Sequence, residues 1–230
     1  MVEQSEPSPR QRADAAYGQG VPQTPNVSLA GDPPSQKVLD AVVDLLVQHG
    51  YEGVSVRKVA AAAGVSIGTV QYHFPTKDAM LAAASDHVAR TFQQHLERLV
   101  SHQATADQAL RALAHGLLGT DDDVRPASVV WLLRAARAAI SPAVAQQHAA
   151  EWEEVENLIT NLIWGARPDQ PPHWARHRAG VLLAVIDGLA VATLTEPDRM
   201  PASRAHNIVD QQLTEVLNPT EPDSPGTRQR

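Results

Sequence analysis

An all-α fold of about nine helices follows from three features of the 230-residue sequence. Apolar residues recur at helical spacing through nearly all of 35–218. Ser, Thr, Gly and Pro stand at the ends of the periodic segments, and no run alternates apolar and polar residues as a half-buried strand does.

Taken in order, the first helix follows from Val38, Leu39, Val42, Val43, Leu45 and Leu46, which share one face. Ser35 is its candidate N-cap and Gly50 its candidate closing residue. Ser55 caps a second, short helix in which Val56, Val59, Ala60 and Ala63 fall at i, i+3, i+4 and i+7, and Gly64 ends it. Ser66 starts a third helix over 67–74, and Pro75 stops it. Thr76 then caps a long fourth helix from Lys77 to about Ser101. Later helices are expected over about 106–119, 126–140, 142–166, 173–195 and 202–217. Their breaks fall at Asp121–Asp123, Ser141-Pro142, Arg167–Pro172 and Pro197–Pro201.

Composition restricts the chemistry. Cysteine is absent, which removes disulfides, thiolate metal sites and cysteine nucleophiles, and fits a reducing cytoplasm. The N-terminus carries Glu3 and Glu6 instead of a basic start and an apolar run, and no stretch approaches the roughly 20 apolar residues of a membrane span. A soluble, unexported protein is expected. The net charge of −7 argues against a surface that binds nucleic acid throughout, leaving room for a small local basic face. Residues 1–34 hold six prolines and almost no large apolar side chains, so they cannot bury enough surface to offset their ordering entropy. A disordered arm is expected there and a disordered tail over 219–230. Arg10 and Arg12 in the arm could enter a minor groove, but Glu3, Glu6, Asp14 and Asp32 outnumber them, and passive disorder is the simpler reading.

The stretch Gly64-Val65-Ser66-Ile67-Gly68 fits the G-x-S-x-G pattern of a hydrolase nucleophile elbow. An elbow needs a strand leading into it, however, and Arg57 to Ala63 ends in four alanines, the best helix formers and poor strand formers. Asp187 and His206 could be nominated as triad partners, though such residues occur in most chains. Two short helices joined by a tight glycine-containing turn instead form a helix-turn-helix, whose second helix enters the major groove. In that reading Gly64 supplies the left-handed backbone and Ser66 is an N-cap, with no catalytic residue.

The residues Ser55-Val56-Arg57-Lys58-Val59-Ala60, Ala63-Gly64-Val65-Ser66, Gly68-Thr69-Val70-Gln71-Tyr72-His73-Phe74 and Thr76-Lys77-Asp78-Ala79-Met80-Leu81 resemble the N-terminal signature of the tetracycline-repressor (TetR) family. The match covers about 35–82 without gaps. The resemblance implies a bacterial transcriptional regulator, usually a repressor and not an enzyme, that binds palindromic operators as a homodimer and is released by a small-molecule effector. It implies no cofactor or metal. It divides the chain into a helix-turn-helix domain at 35–82 and a ligand-binding and dimerisation domain at 83–218.

By position in that signature, Arg57, Ser66, Gly68, Thr69, Gln71, Tyr72, His73 and Lys77 lie where family members meet DNA. Gln71 departs from the commoner tyrosine. Arg57 suits a forked contact to guanine and Gln71 a bidentate contact to adenine. The hydroxyls of Thr69 and Tyr72, with His73 and Lys77, suit phosphate oxygens, as do Ser66 and the N–H groups at its helix end. Gly68 would let backbone approach the duplex closely. Val59, Val70 and Phe74 are assigned to packing.

In the second half, Val181, Leu182, Leu183, Val185, Ile186, Leu189, Val191 and Leu194 make the 173–195 helix apolar around most of its circumference. It therefore needs cover on nearly all sides. The resemblance gives 173–195 and 202–217 as the dimer helices, and Asp187-Gly188-Leu189 resembles a choline-regulator (BetI)-like subgroup. Trp131, Arg134, Trp152, Glu156 and Trp164 are the candidate effector residues, although tryptophans at helical spacing serve equally as core. His173 and His177, at i and i+4, have the spacing of a metal-chelating pair, but no adjacent carboxylate or cysteine in sequence completes a set.

Overall fold

A computed structural model describes residues 33–218. Within them the order is α1 (Pro33–Gly53), α2 (Val56–Ala63), α3 (Ile67–His73), α4 (Lys77–Ser101), α5 (Ala106–Leu118), α6 (Arg125–Ala138), α7 (Pro142–Ala166), α8 (Pro172–Thr195) and α9 (Ala202–Leu217). No strand occurs among the described residues. Nearly all of the expected arm and the tail lie outside them.

Two corrections concern α1. It opens at Pro33, so Pro33 and Pro34 belong to the helix and not to the arm, and Ser35 lies inside the first turn with its side chain buried. The reason is positional: proline suits the first turn of a helix, where the missing N–H has no intrahelical partner. At the other end Gly50 takes φ 63° and ψ −171°, so the helix proper breaks there and 51–53 form a further turn.

The described residues form two compact units, one of 33–98 with Gly119–Trp152 and one of Leu99–Leu118 with 153–218. The first unit groups α6 and the start of α7 with the helix-turn-helix, and so cuts the chain differently from a boundary at 82. Val130 of α6 is 2% exposed within the same core as Val38, Val42, Leu46, Val59, Val70, Phe74 and Met80. Each such side chain contributes about 1.5–3 kcal/mol by leaving water.

In the second unit α5, α8 and α9 pack together. Ala175, Ala179, Leu182, Leu183, Ile186, Leu189 and Ala190 bury the inner face of α8, while Val181, Ala184 and Gly188 are exposed. The expectation that no stretch approaches a membrane span is corrected here. By length and composition alone Pro172–Thr195 is long and apolar enough, with a mean hydropathy of 1.6. The buried inner face accounts for much of that hydropathy as core packing.

Candidate nucleic-acid interface

Each end of the two short helices is fixed by a local hydrogen bond. Ser55 Oγ accepts from the Lys58 backbone N–H at 3.3 Å and starts α2. Gly64 ends it with φ 66° and ψ 33°, the left-handed conformation a tight turn needs, and the Val65 N–H donates to Ala60 O at 3.0 Å. Ser66 Oγ accepts from the Thr69 N–H at 3.0 Å and shares a 2.8 Å hydrogen bond with the Thr69 hydroxyl. Thr76 Oγ1 accepts from the Ala79 N–H at 3.0 Å and starts α4. Ser66 is thus a cap at the head of a helix. The residues before it are helical, and Asp187 and His206 lie in the other unit.

Helix α3 has two unlike faces. Val70 and Phe74, 0% and 2% exposed, anchor it in the core. Ile67, Gly68, Gln71 and Tyr72 face outward, Tyr72 being 83% exposed. A Cβ built at Gly68 would meet nothing closer than Ser66 Oγ at 3.6 Å, an ordinary contact. Internal packing therefore does not require glycine there. His73 is half-buried and stands edge-on to Tyr72, with ring centroids 5.1 Å apart. Arg57 and Lys58 are exposed on α2. Lys77 Nζ donates to the Tyr51 carbonyl at 3.0 Å, which seats the ammonium and leaves two of its three N–H groups for another acceptor.

In the same unit, Trp131 and Trp152 stack at 5.6 Å and 17°, and His148 stacks on Trp152 at 4.9 Å. Arg134, 8% exposed, donates to Glu151 at 2.7 Å. Trp131 Nε1 is buried without a hydrogen-bond partner among the described residues. Three of the five candidate effector residues, Trp131, Arg134 and Trp152, therefore meet in the unit that holds the helix-turn-helix. Glu156 and Trp164 lie in the other unit. Glu151 was not singled out in the sequence, where nothing local marks its pairing with Arg134, 17 residues earlier on α6.

Glu156 lines a surface cleft of about 560 Å³ with His173, Arg176, His177, Gly180, Val181 and Ala184. A carboxylate distant in sequence, Glu156, thus shares a cleft with the His173 and His177 pair. No cluster of three metal-ligating side chains occurs among the described residues.

Burial lowers the His87 pKa from its ordinary 6.5; Asp40, 3.8 Å away, opposes the shift and Arg90 adds to it. Gln36 Nε2 lies 3.1 Å from His87 Nε2, so this half-buried ring sits where α1 crosses α4.

Two short capped helices, the second presenting a polar outward face, define a helix-turn-helix DNA-binding regulator. Comparisons agree. Residues 38–84 match the family described as bacterial regulatory proteins, tetR family, and residues 106–218 match the BetI-type transcriptional repressor C-terminal family. A BetI regulator of Burkholderia thailandensis is 30% identical over 158 residues, 66% of this chain and 77% of the relative. The BetI of Escherichia coli O157:H7 is 24% identical over 184 residues, 79% of this chain and 93% of the relative. A transcriptional regulator from Rhodococcus sp. superposes with a TM-score of 0.70 at 32% identity, covering 80% of this chain and 95% of that one. A regulator from Saccharomonospora viridis in complex with choline has a TM-score of 0.72 at 22% identity over 80% of this chain and 96% of that one, a likeness of fold. The chain belongs to the tetR family of bacterial transcriptional regulators, with a BetI-type C-terminal region. That family consists of DNA-binding regulators, not enzymes.

Proposed function

We propose that this protein is a cytoplasmic repressor that binds a palindromic operator as a homodimer and leaves it when a small-molecule effector binds. The observation that carries the reading is the outward face of α3, where Gln71 and an almost fully exposed Tyr72 project while Val70 and Phe74 fasten the opposite face. An aromatic ring left in water makes sense where it lies against a duplex. Arg57 and Gln71 read base edges; Ser66, Thr69, Tyr72, His73 and Lys77 hold phosphates, with Gly68 giving the backbone close approach.

Helices α8 and α9 form the dimer contact. The exposed Val181, Ala184 and Gly188 of α8 support this, since they offer an apolar surface with little side-chain bulk for a second helix. A two-fold dimer would present its α3 helices to successive major grooves about 34 Å apart, which calls for a palindromic site. The effector binds at Trp131, Arg134 and Trp152. Arg134 is already paired with Glu151, so its charge is not bare for an anionic ligand.

The test is selection of duplexes from a random library by the full-length chain, with the molar mass of the complex measured by light scattering. Enrichment of a palindrome bound by two chains is the expected result. Failure to enrich any sequence, or enrichment of an asymmetric site bound by one chain, would remove the reading.

A further inference from the structure

We infer that Arg137 couples the tryptophan site to the DNA-binding helices, a role that rests on the repressor reading above. Along α6, Trp131 stacks on Trp152, Arg134 binds Glu151, and Arg137 reaches the helix-turn-helix. Its guanidinium carbon stands 5.5 Å from the centroid of the Tyr51 ring, and its Nη2 donates to Asp78 Oδ1 at 3.4 Å.

Tyr51 and Asp78 flank one particular place. The Tyr51 carbonyl accepts the hydrogen bond from Lys77 Nζ, and Asp78 follows Lys77 in the first turn of α4. One α6 side chain therefore grips both sides of the junction that seats a proposed phosphate-binding ammonium. A second link ties the same region to α4, since Gln147 bridges Glu151 and Asp86. Asp86 lies eight residues beyond Asp78, about 12 Å further along the helix. The Arg137 contacts are the ones at the DNA end.

Their weakness suits the role. Asp78 is 82% exposed, and exposed ion pairs and cation–π contacts are each small. An effector can shift an equilibrium only by its differential affinity for two states, so a contact that responds to it must be cheap to break. When the Trp131–Trp152 stack rearranges, α6 moves, Arg137 leaves Tyr51 and Asp78, and Lys77 loses its fixed seat.

Coupling is reciprocal, so binding DNA must alter the tryptophan pair, and no effector is needed to see it. In a Trp164→Phe, Trp174→Phe chain, only Trp131 and Trp152 contribute the circular-dichroism signal of paired indoles. Titration with a duplex selected by the full-length chain is expected to change that signal and to saturate with binding. Arg137→Gln binds the duplex but loses the change, Arg137→Lys keeps part of it, and Gln147→Ala keeps it. Trp131→Ala is expected to shift duplex affinity by about twofold or more, the lower edge for residues joined in one network, and to leave it unshifted in the Arg137→Gln chain. Should Arg137→Gln melt early, Asp78→Asn removes the ion pair from the other side and must give the same loss. An undiminished signal change in Arg137→Gln and Asp78→Asn, or none in the parent chain while the duplex binds, overturns the coupling and leaves the repressor reading standing. Failure to select any duplex overturns both.

Discussion

Lys77→Ala offers the sharpest test of how this interface is divided between holding DNA and reading it. Lys77 is exposed, its ammonium is positioned by the Tyr51 carbonyl, and it keeps two donors for a phosphate. In a two-fold complex the substitution removes two phosphate-neutralising charges. Each neutralised phosphate contributes about 0.9 to the slope of log affinity against log salt, so the slope should flatten by about 1.8. Between 50 and 200 mM salt the wild type should therefore lose about 12-fold more affinity than the variant does. Fluorescence-anisotropy titrations over that range supply the slopes, repeated with operator variants changed at single bases. Because a phosphate carries no sequence, the loss should be the same for every variant. An unchanged slope, or a loss confined to one base substitution, would refute the assignment.

Three further outcomes follow from other residues. Arg57→Ala should relax base preference, removing about 1–3 kcal/mol of discrimination at one position of each half-site, as measured by competition with substituted duplexes. Glu151→Gln leaves Arg134 buried without its anion. Since Glu151 is one-third exposed, the expected loss is about 1–3 kcal/mol, less than for a fully buried broken pair, and urea unfolding would measure it. His87 has a folded-state pKa below 6.5, chiefly through burial, so the unfolded chain takes up protons first as pH falls. Stability should drop as pH passes below 6.5, and His87→Gln should reduce that drop in thermal melts across the same range.

The helices were legible because their signals are local. Ser55, Gly64, Ser66 and Thr76 each act within four residues of themselves, and each occupies the cap or turn its chemistry favours. Ser35 misled for the same reason: a serine before an apolar face looks like a cap, but the prolines preceding it extend the helix and carry it inside. The outward face of α3 was also readable, since Val70 and Phe74 fix which side must be buried. Contacts far apart in sequence were not. Arg137 meets Asp78 across 59 residues, and Glu156 of α7 shares a cleft with His173 of α8, 17 residues further on. Periodicity places a residue on a face; it does not say which helix lies opposite.

Helix α8 joins these lessons. Its sequence is apolar on nearly every side, a pattern shared by a membrane span, a wholly buried core helix and a helix sandwiched between its own fold and a second copy. Packing separates them: Leu182, Ile186 and Leu189 are buried, while Val181, Ala184 and Gly188 stay exposed. Apolar residues on both the buried and the exposed face leave little net amphipathicity, and no polar stripe marks the outside over 181–188. The outer stripe is also low in relief. Gly180, whose added Cβ would lie 3.8 Å from Glu156 Oε1, and Ala184 and Gly188 follow at successive intervals of four residues. Small residues at that interval let another helix approach closely. Gly180 and Ala184 of this stripe, with Val181, line the cleft that also carries Glu156, His173, Arg176 and His177. Charged groups beside an apolar strip are expensive against lipid and ordinary at the rim of a protein contact, which supports the proposed dimer contact over a bilayer.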